Sequence, residues 1–264
     1  MGTILFHDPV FGPIHSRRLG TSLGINLMPT QRKICNFNCI YCECGWNKPL
    51  EDKDKDLPGF RLPSVHEVVD SLDKKLASMK AAGLAPDVIT FSGNGEPTGH
   101  PHFLTIMKQT IKLRDTYFPG AQVCVLSNSG YLDRPGVMEG LMLADKRIMK
   151  IDSAFSPTVA AINQPAASYS LEKTIEHLKR FDGFFTLQTL FLSGEYNGSV
   201  IDNTTPEEVD GWLEVVAKLR PREVMVYTLD RETPAPGLKK CSREKLEAIA
   251  ARVRAMGINV QVAG

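Results

Sequence analysis

Six times along the chain, a short run of apolar and β-branched residues gives way to a stretch with helical start and stop signals. The apolar runs lie at residues 23–27, 87–91, 122–126, 147–151, 184–192 and 223–229, and a terminal one follows at 258–262. Helices are expected between them at 64–82, 101–117, 135–144, 170–181, 205–219 and 242–256. Ser64-Val65-His66-Glu67 has the form of a capping box, in which hydroxyl and carboxylate satisfy each other's orphan amides, and Gly83 supplies the stop. Thr205-Pro206-Glu207-Glu208 has the same form, with proline at the first helical position. Parallel strands need a long crossover, and a helix fills it. The alternation therefore implies an α/β fold with a parallel sheet and helices outside. Six units are two short of a closed eightfold barrel. An open doubly wound sheet and a partial barrel both satisfy the pattern. In either, ligands gather at the carboxyl ends of the strands. The polar, glycine-rich segments 92–97, 127–130, 152–153 and 228–236 lie there.

The second constraint is cysteine. Six occur, at 35, 39, 42, 44, 124 and 241, and the first four fall inside ten residues. A disulfide framework would spread them, so the clustering points to metal or redox chemistry. Cys35-Asn36-Phe37-Asn38-Cys39-Ile40-Tyr41-Cys42 follows the first strand. Thiolates are soft ligands that select zinc, copper(I) or iron–sulfur clusters. Zinc normally takes four ligands, often as two separated pairs, and no second pair occurs downstream. Three thiolates around a four-iron cube leave one iron open to a substrate or cofactor. Cys124 sits inside an apolar strand and is expected in the core; Cys241 is expected to be structural, with a substrate-side thiol as the alternative. Cys44 is expected beside the cluster as a bystander; as a fourth ligand it would make a zinc knuckle or close the open iron.

Cys-x3-Cys-x2-Cys with an aromatic residue before the last cysteine resembles the signature of the radical S-adenosylmethionine (radical SAM) superfamily. Ser92-Gly93-Asn94-Gly95-Glu96-Pro97 is similar to that family's Gly-Gly-Glu-Pro stretch, with Asn94-Gly95 in place of the usual glycine pair. The resemblance implies a partial (β/α)6 TIM-like barrel of parallel strands. It implies a [4Fe–4S] cluster on Cys35, Cys39 and Cys42, S-adenosylmethionine on the fourth iron, and a 5′-deoxyadenosyl radical that abstracts hydrogen from a substrate. It also implies that Gly93, Asn94, Gly95 and Glu96 line the methionine end of the cofactor and that the Tyr41 backbone meets its adenine. Ser127 and Asn128 in Leu126-Ser127-Asn128-Ser129-Gly130 are similar to the family's Thr-Asn-Gly turn and are expected near ribose or carboxylate. In Arg147–Ile151 and on to Ser153, period-two alternation puts Met149 and Ile151 on one face and Lys150 and Asp152 on the other. If the apolar pair faces the helices, Lys150 and Asp152 point inward, either onto a ligand or onto each other. Ser153 is taken with them as a cofactor contact, and Gln188 and Arg231 as substrate-side residues. The segment 12–20, with Arg17 and Arg18 reaching toward anions, and the Thr228-Leu229-Asp230-Arg231 ending resemble stand-alone members related to the wyosine-base (tRNA imidazoguanosine) synthases. His15 is expected to be structural.

The resemblance spans nearly the whole chain, so 1–264 is expected to be one radical SAM domain. Its parts are an N-terminal segment and first strand at 1–34, a cluster loop at 35–45, a barrel at 46–240, and a C-terminal helix and strand at 241–264. Lysine plus arginine number 31 against 30 acids, a net charge of +1, so no general basic field for nucleic acid is expected, which leaves room for a local patch. No apolar run is long enough for a membrane span, and residues 1–10 lack a secretory signal's positive start, so a cytoplasmic enzyme is expected. The expected partners are an electron donor such as flavodoxin or ferredoxin and a substrate that is a tRNA base, a protein or a small molecule. A glycyl-radical-enzyme activase is an alternative. A zinc- or iron–sulfur-stabilised binding module without catalysis is another, and it predicts no turnover of S-adenosylmethionine.

Overall fold

The computed structural model describes residues 4–16, 19–49, 51–55 and 57–264. Strand β1 (Val10–Ser16) runs antiparallel to β2 (Gly20–Ile25). Helix α1 (Val65–Ala81) leads to β3 (Val88–Phe91), α2 (Phe103–Tyr117) to β4 (Gln122–Ser127), and α3 (Val137–Leu143) to β5 (Lys146–Lys150). Two helices, α4 (Ser156–Asn163) and α5 (Leu171–Lys179), precede β6 (Thr186–Leu190). The hairpin β7 (Leu192–Tyr196) and β8 (Ser199–Asp202) comes next, followed by α6 (Pro206–Leu219) and β9 (Glu223–Tyr227). Strand β10 (Leu238–Lys240), α7 (Arg243–Ala255) and β11 (Asn259–Ala263) complete the order.

The main sheet has eight strands in the order β1-β2-β3-β4-β5-β6-β9-β11, and every pair beyond β1–β2 is parallel. Spatial order follows chain order without a reversal. A doubly wound sheet reverses its order at a switch point, so this is the partial TIM-like barrel. Alternate residues divide between its two faces. Ile89, Phe91, Val123, Val125, Met149, Leu187, Val224 and Val226 join the large core beneath the helices. Val88, Cys124, Ile148 and Met225 form a separate small cluster within the barrel. Helix α1 shows why the outer layer holds: Val68, Leu72, Leu76 and Met79 recur at helical spacing and are all buried. At its start, Ser64 and Glu67 form the full capping box.

Three sequence expectations change in detail. The apolar run 184–192 is not one strand: the chain leaves the barrel at Phe191, and Leu192 begins a three-stranded antiparallel sheet of order β10-β7-β8. Buried Asn203 ties this bend. Its Oδ1 accepts from Leu192 N at 2.8 Å, and its Nδ2 donates to Leu190 O at 2.7 Å and Asp152 O at 2.8 Å. The box at Thr205 is half formed. Thr205 Oγ1 accepts from Glu208 N, but the Glu208 carboxylate accepts instead from Ser153 Oγ and Thr158 Oγ1. Helix α4 was not anticipated, since its only start signal is a proline in the first turn. Among the described residues, no helix is long and apolar enough to cross a membrane.

Candidate active site

The cysteine loop is built onto the barrel by backbone bonds. Ile34 pairs with Gly95 as a parallel bridge, with Ile34 N donating to Asn94 O at 3.0 Å and Glu96 N to Ile34 O at 3.3 Å. Gly95 has φ +146°, and a Cβ there would lie 1.7 Å from Ile34 O. Gly93, at φ +134°, would put a Cβ 2.5 Å from Asn26 Oδ1. The close approach these glycines permit is thus to the protein itself, and it is what seats the cysteine loop. The far side of the loop rests on α4, with Asn38 N donating to Asn163 O and Ile40 N to Ile162 O. Asn47 closes it: Oδ1 accepts from Cys35 N at 3.1 Å while Nδ2 donates to Cys35 O and Phe37 O. No sequence signal marked Asn47 or Asn163.

The three signature sulfurs meet different partners. Cys35 Sγ accepts from Phe37 N and Asn128 Nδ2, each at 3.4 Å. Cys39 Sγ accepts from Asn163 Nδ2 at 3.5 Å. The neighbouring Cys44 and Lys33 bring the Cys42 thiol down to about 6 against the opposing effect of burial. Burial pushes Cys35 upward, helped by the charges of Glu96 and Cys39. Burial likewise raises Cys39 to about 11, with the Cys42 charge adding to it. The neighbouring Cys42 and burial push the Cys44 thiol upward, and its Sγ donates to Gly93 O at 3.4 Å. Among the described residues, no three His, Cys, Asp or Glu side chains converge on one point as ligands of a single ion. Cys124 is buried in the small cluster within the barrel, as expected, and Cys241 is buried in the large core.

Behind the loop, Glu96 is buried and saturated. Oε1 accepts from Thr98 N, Thr98 Oγ1 and Ser127 Oγ, and Oε2 from Asn128 N at 2.6 Å. Burial raises its pKa, and these bonds oppose the rise. Glu96 and Ser127 thereby orient the turn that carries Asn128 to Cys35. The Asn94 side chain is bonded to Phe6 and Pro29 and is fully buried.

The strand-end alternation at β5 is as expected: Met149 and Ile151 are in the outer core, and Lys150 and Asp152 face inward. They pair with each other at 3.2 Å and belong to a larger network. Asp152 Oδ2 accepts from Tyr41 Oη at 2.5 Å and Asn163 Nδ2 at 2.7 Å, and Oδ1 accepts from Leu190 N at 2.9 Å. Lys150 Nζ donates to Tyr227 Oη at 2.6 Å and lies between the rings of Tyr41 and Tyr227. Burial opposes its charge, but Asp152 and Tyr227 hold the ammonium above its ordinary value. Asn163 therefore links this network to the Cys39 sulfur.

A cavity of about 440 Å³ opens beside the loop, lined by Tyr41, Cys42, Tyr227, Thr228, Arg231 and His15 among others. Arg231 stands in its wall, paired with Glu43 at 2.6 Å. Gln188 is buried on β6, next to Lys150 in register. The structure does not bring Ser153 to this mouth: its Oγ donates to Glu208 and accepts from Phe155 N, at the α4–α6 junction. Arg17 and Arg18 lie outside the described residues.

The three-cysteine loop thus lies at the carboxyl end of a partial parallel barrel, beside a cavity. The radical SAM superfamily model matches residues 32–183, and the chain belongs to that superfamily. Its cofactors are S-adenosylmethionine and a [4Fe–4S] cluster. The chain is 31% identical over 242 residues to a Brachyspira hyodysenteriae protein named GTPase Obg, covering 90% of this chain and 32% of that one. It is 32% identical over 229 residues to the UPF0026 protein slr1464 of a Synechocystis species, covering 85% and 77%. Of the first relatives it matches, one from Helicobacter pylori included, the chain spans a third to a half of the length. The fold matches Streptococcus suis SuiB bound to S-adenosylmethionine at a TM-score of 0.62 and 12% identity, over 91% of this chain and 50% of that one. It also matches a TYW1 structure with a lysine–pyruvate adduct bound, at a TM-score of 0.60 and 13% identity, over 90% and 75%.

Proposed function

We propose that Cys35, Cys39 and Cys42 hold the [4Fe–4S] cluster and that the adjoining cavity receives the cofactor and a substrate. The observation that carries this is the placement of Cys42 and Tyr41 in the cavity wall, on the loop that also presents Cys35 and Cys39. The donor set fits a cluster of this kind: three soft thiols on one loop, with N–H donors already directed at the sulfurs. When bound, the cluster and S-adenosylmethionine supply a 5′-deoxyadenosyl radical that abstracts hydrogen from the substrate.

The chain's own residues position and enclose. Gly95 and Asn47 fix the loop, and Glu96 and Ser127 hold Asn128 against Cys35. The Lys150–Asp152 pair is satisfied before any ligand arrives, and it holds the hydroxyls of Tyr41 and Tyr227, two residues of the cavity wall, without an unpaired charge. Arg231, at the wall, is the substrate-side cation, free to exchange Glu43 for a carboxylate or phosphate. The enzyme is read as an oxidoreductase or lyase of the cytoplasm that draws single electrons from a flavodoxin or ferredoxin.

The test is anaerobic reconstitution with iron and sulfide, reduction with dithionite, and assay of 5′-deoxyadenosine from S-adenosylmethionine. The wild-type chain is expected to carry four irons and form product, and Cys39→Ala to do neither. One zinc per chain and no product would reject the reading.

A further inference from the structure

Cys39 is seated on the end of α4 from both sides. Its chain neighbours bond the helix through the main chain, Asn38 N donating to Asn163 O at 3.0 Å and Ile40 N to Ile162 O at 2.9 Å. Between these bonds the Asn163 side chain meets the Cys39 sulfur, Nδ2 to Sγ at 3.5 Å. Sulfur is larger than oxygen, so this is a bonding distance for it. The other partners fix which way the amide points. Asp152 is paired with Lys150, and an ionised carboxylate only accepts, so the Asn163 atom 2.7 Å from Asp152 Oδ2 is the nitrogen. Tyr41 Oη gives its own hydrogen to the same carboxylate oxygen, so at 3.1 Å from Asn163 Nδ2 it accepts as well. Three acceptors therefore face two hydrogens. Asp152 takes one at the shortest distance, and Tyr41 and Cys39 share the other. Asn163, Asp152, Tyr41 and Cys39 are all buried, so protein groups set the balance between them.

We infer that Asn163 is a positioning residue for electron transfer: the N–H that it shares between Tyr41 and the Cys39 sulfur raises the reduction potential of the cluster. The inference rests on the assignment of Cys39 as a ligand. Reduction moves one electron from the electron donor to the cluster and adds one negative charge to the cluster and its thiolates. An N–H directed at a ligand sulfur stabilises that state more than the oxidised one, and burial strengthens the effect by keeping water out. Hydrogen bonds to the sulfurs are one of the levers a protein has on a cluster's potential. No proton moves, since the amide does not titrate. Sharing the hydrogen gives the effect two opposite handles. Removing the amide takes the donor from the sulfur and lowers the potential. Removing the Tyr41 hydroxyl takes away the competing acceptor, leaves the sulfur the whole hydrogen and raises it.

The experiment is a potentiometric titration of the reconstituted protein without S-adenosylmethionine. The electron paramagnetic resonance signal of the reduced cluster is followed in wild type, Asn163→Leu, Asn163→Ala and Tyr41→Phe, and iron is counted in each. Both Asn163 variants keep the main-chain bonds that seat Cys39. They are expected to lower the equilibrium constant for reduction at least threefold, a midpoint more negative by about 28 mV at about 59 mV per tenfold for one electron. Tyr41→Phe is expected to move the midpoint the other way. A site that is merely loosened admits water, which favours the more highly charged reduced cluster, so it would shift every variant to more positive values. Unchanged or more positive midpoints in Asn163 variants that carry four irons would overturn the inference. Loss of iron from both, with the unfolding transition unchanged, would also overturn it, because Asn163 would then serve assembly. Tyr41→Phe leaves the amide in place and decides where both replacements unfold the chain: a midpoint at or below that of wild type overturns the inference. A wild-type protein without the reduced-cluster signal would instead reject the ligand assignment, before any variant is compared.

Discussion

Gly95→Ala is the most informative single substitution for the architecture of the site. The added Cβ would lie 1.7 Å from Ile34 O, whereas real Cβ contacts stay beyond 3.0 Å. The carbonyl must therefore retreat by at least about 1.3 Å, and it belongs to backbone that no rotamer change can relieve. That retreat breaks the two bonds of the bridge, Ile34 N to Asn94 O at 3.0 Å and Glu96 N to Ile34 O at 3.3 Å. Each is worth about 1 kcal/mol net. Holding alanine at φ +146° adds about 1–3 kcal/mol of backbone strain. The total is about 3–5 kcal/mol. It is read as the loss in unfolding free energy of the metal-free chain by urea denaturation and linear extrapolation. Gly120→Ala is the control, because its Cβ meets nothing within 4 Å and its φ is not positive; it should stay within about 0.5 kcal/mol of wild type. A Gly95→Ala chain within about 1 kcal/mol of wild type would refute the claim that this glycine seats the cysteine loop.

Two further predictions concern buried polar groups. Asp152→Ala removes the acceptor for Tyr41, Asn163, Leu190 N and Lys150 and leaves that ammonium buried without its counter-charge. Removing one partner of a buried pair costs about 3–5 kcal/mol, so thermal unfolding should shift down by many degrees, and the loss should shrink when Lys150→Met is added. An equal loss in the double variant would refute the pairing. His100 is 4% exposed, its Nε2 placed 2.9 Å from Pro63 O and its Nδ1 accepting from His102 N at 3.1 Å, which demands the neutral ring. Burial lowers its pKa, so below about pH 6.5 the unfolded chain binds a proton that the folded chain refuses. Stability contributed by the neutral ring is present above that pH and is lost as pH falls toward the lowered value. The slope of unfolding free energy between pH 7.5 and 5.5 should be shallower in His100→Gln, and an unchanged slope would show the ring to be uninvolved.

The six strand–helix units, the two-faced strands and the triad of Cys35, Cys39 and Cys42 were all legible in the chain, because each rests on spacing within a few residues. Periodicity decides which side chains share a face, so Met149 and Ile151 could be placed against the helices, opposite Lys150 and Asp152. The choice between a doubly wound sheet and a partial barrel was not legible, since both use the same local pattern and differ only in spatial strand order. The bend at Phe191 was hidden in a continuous apolar run, because its cause is Asn203, brought back by the hairpin just past the end of β8 to cap Leu190 and Leu192. Asn47 and Asn163 read as ordinary polar residues and acquire their roles only when the folded loop and α4 bring their partners to them. Ser153 shows the converse: a strand-end serine that looked ligand-directed is held instead by Glu208 of α6. Local sequence determined the elements and the chemistry of the three thiols. Tertiary structure alone decided what surrounds those thiols, because a buried donor or charge takes its energy from neighbours far away in the chain.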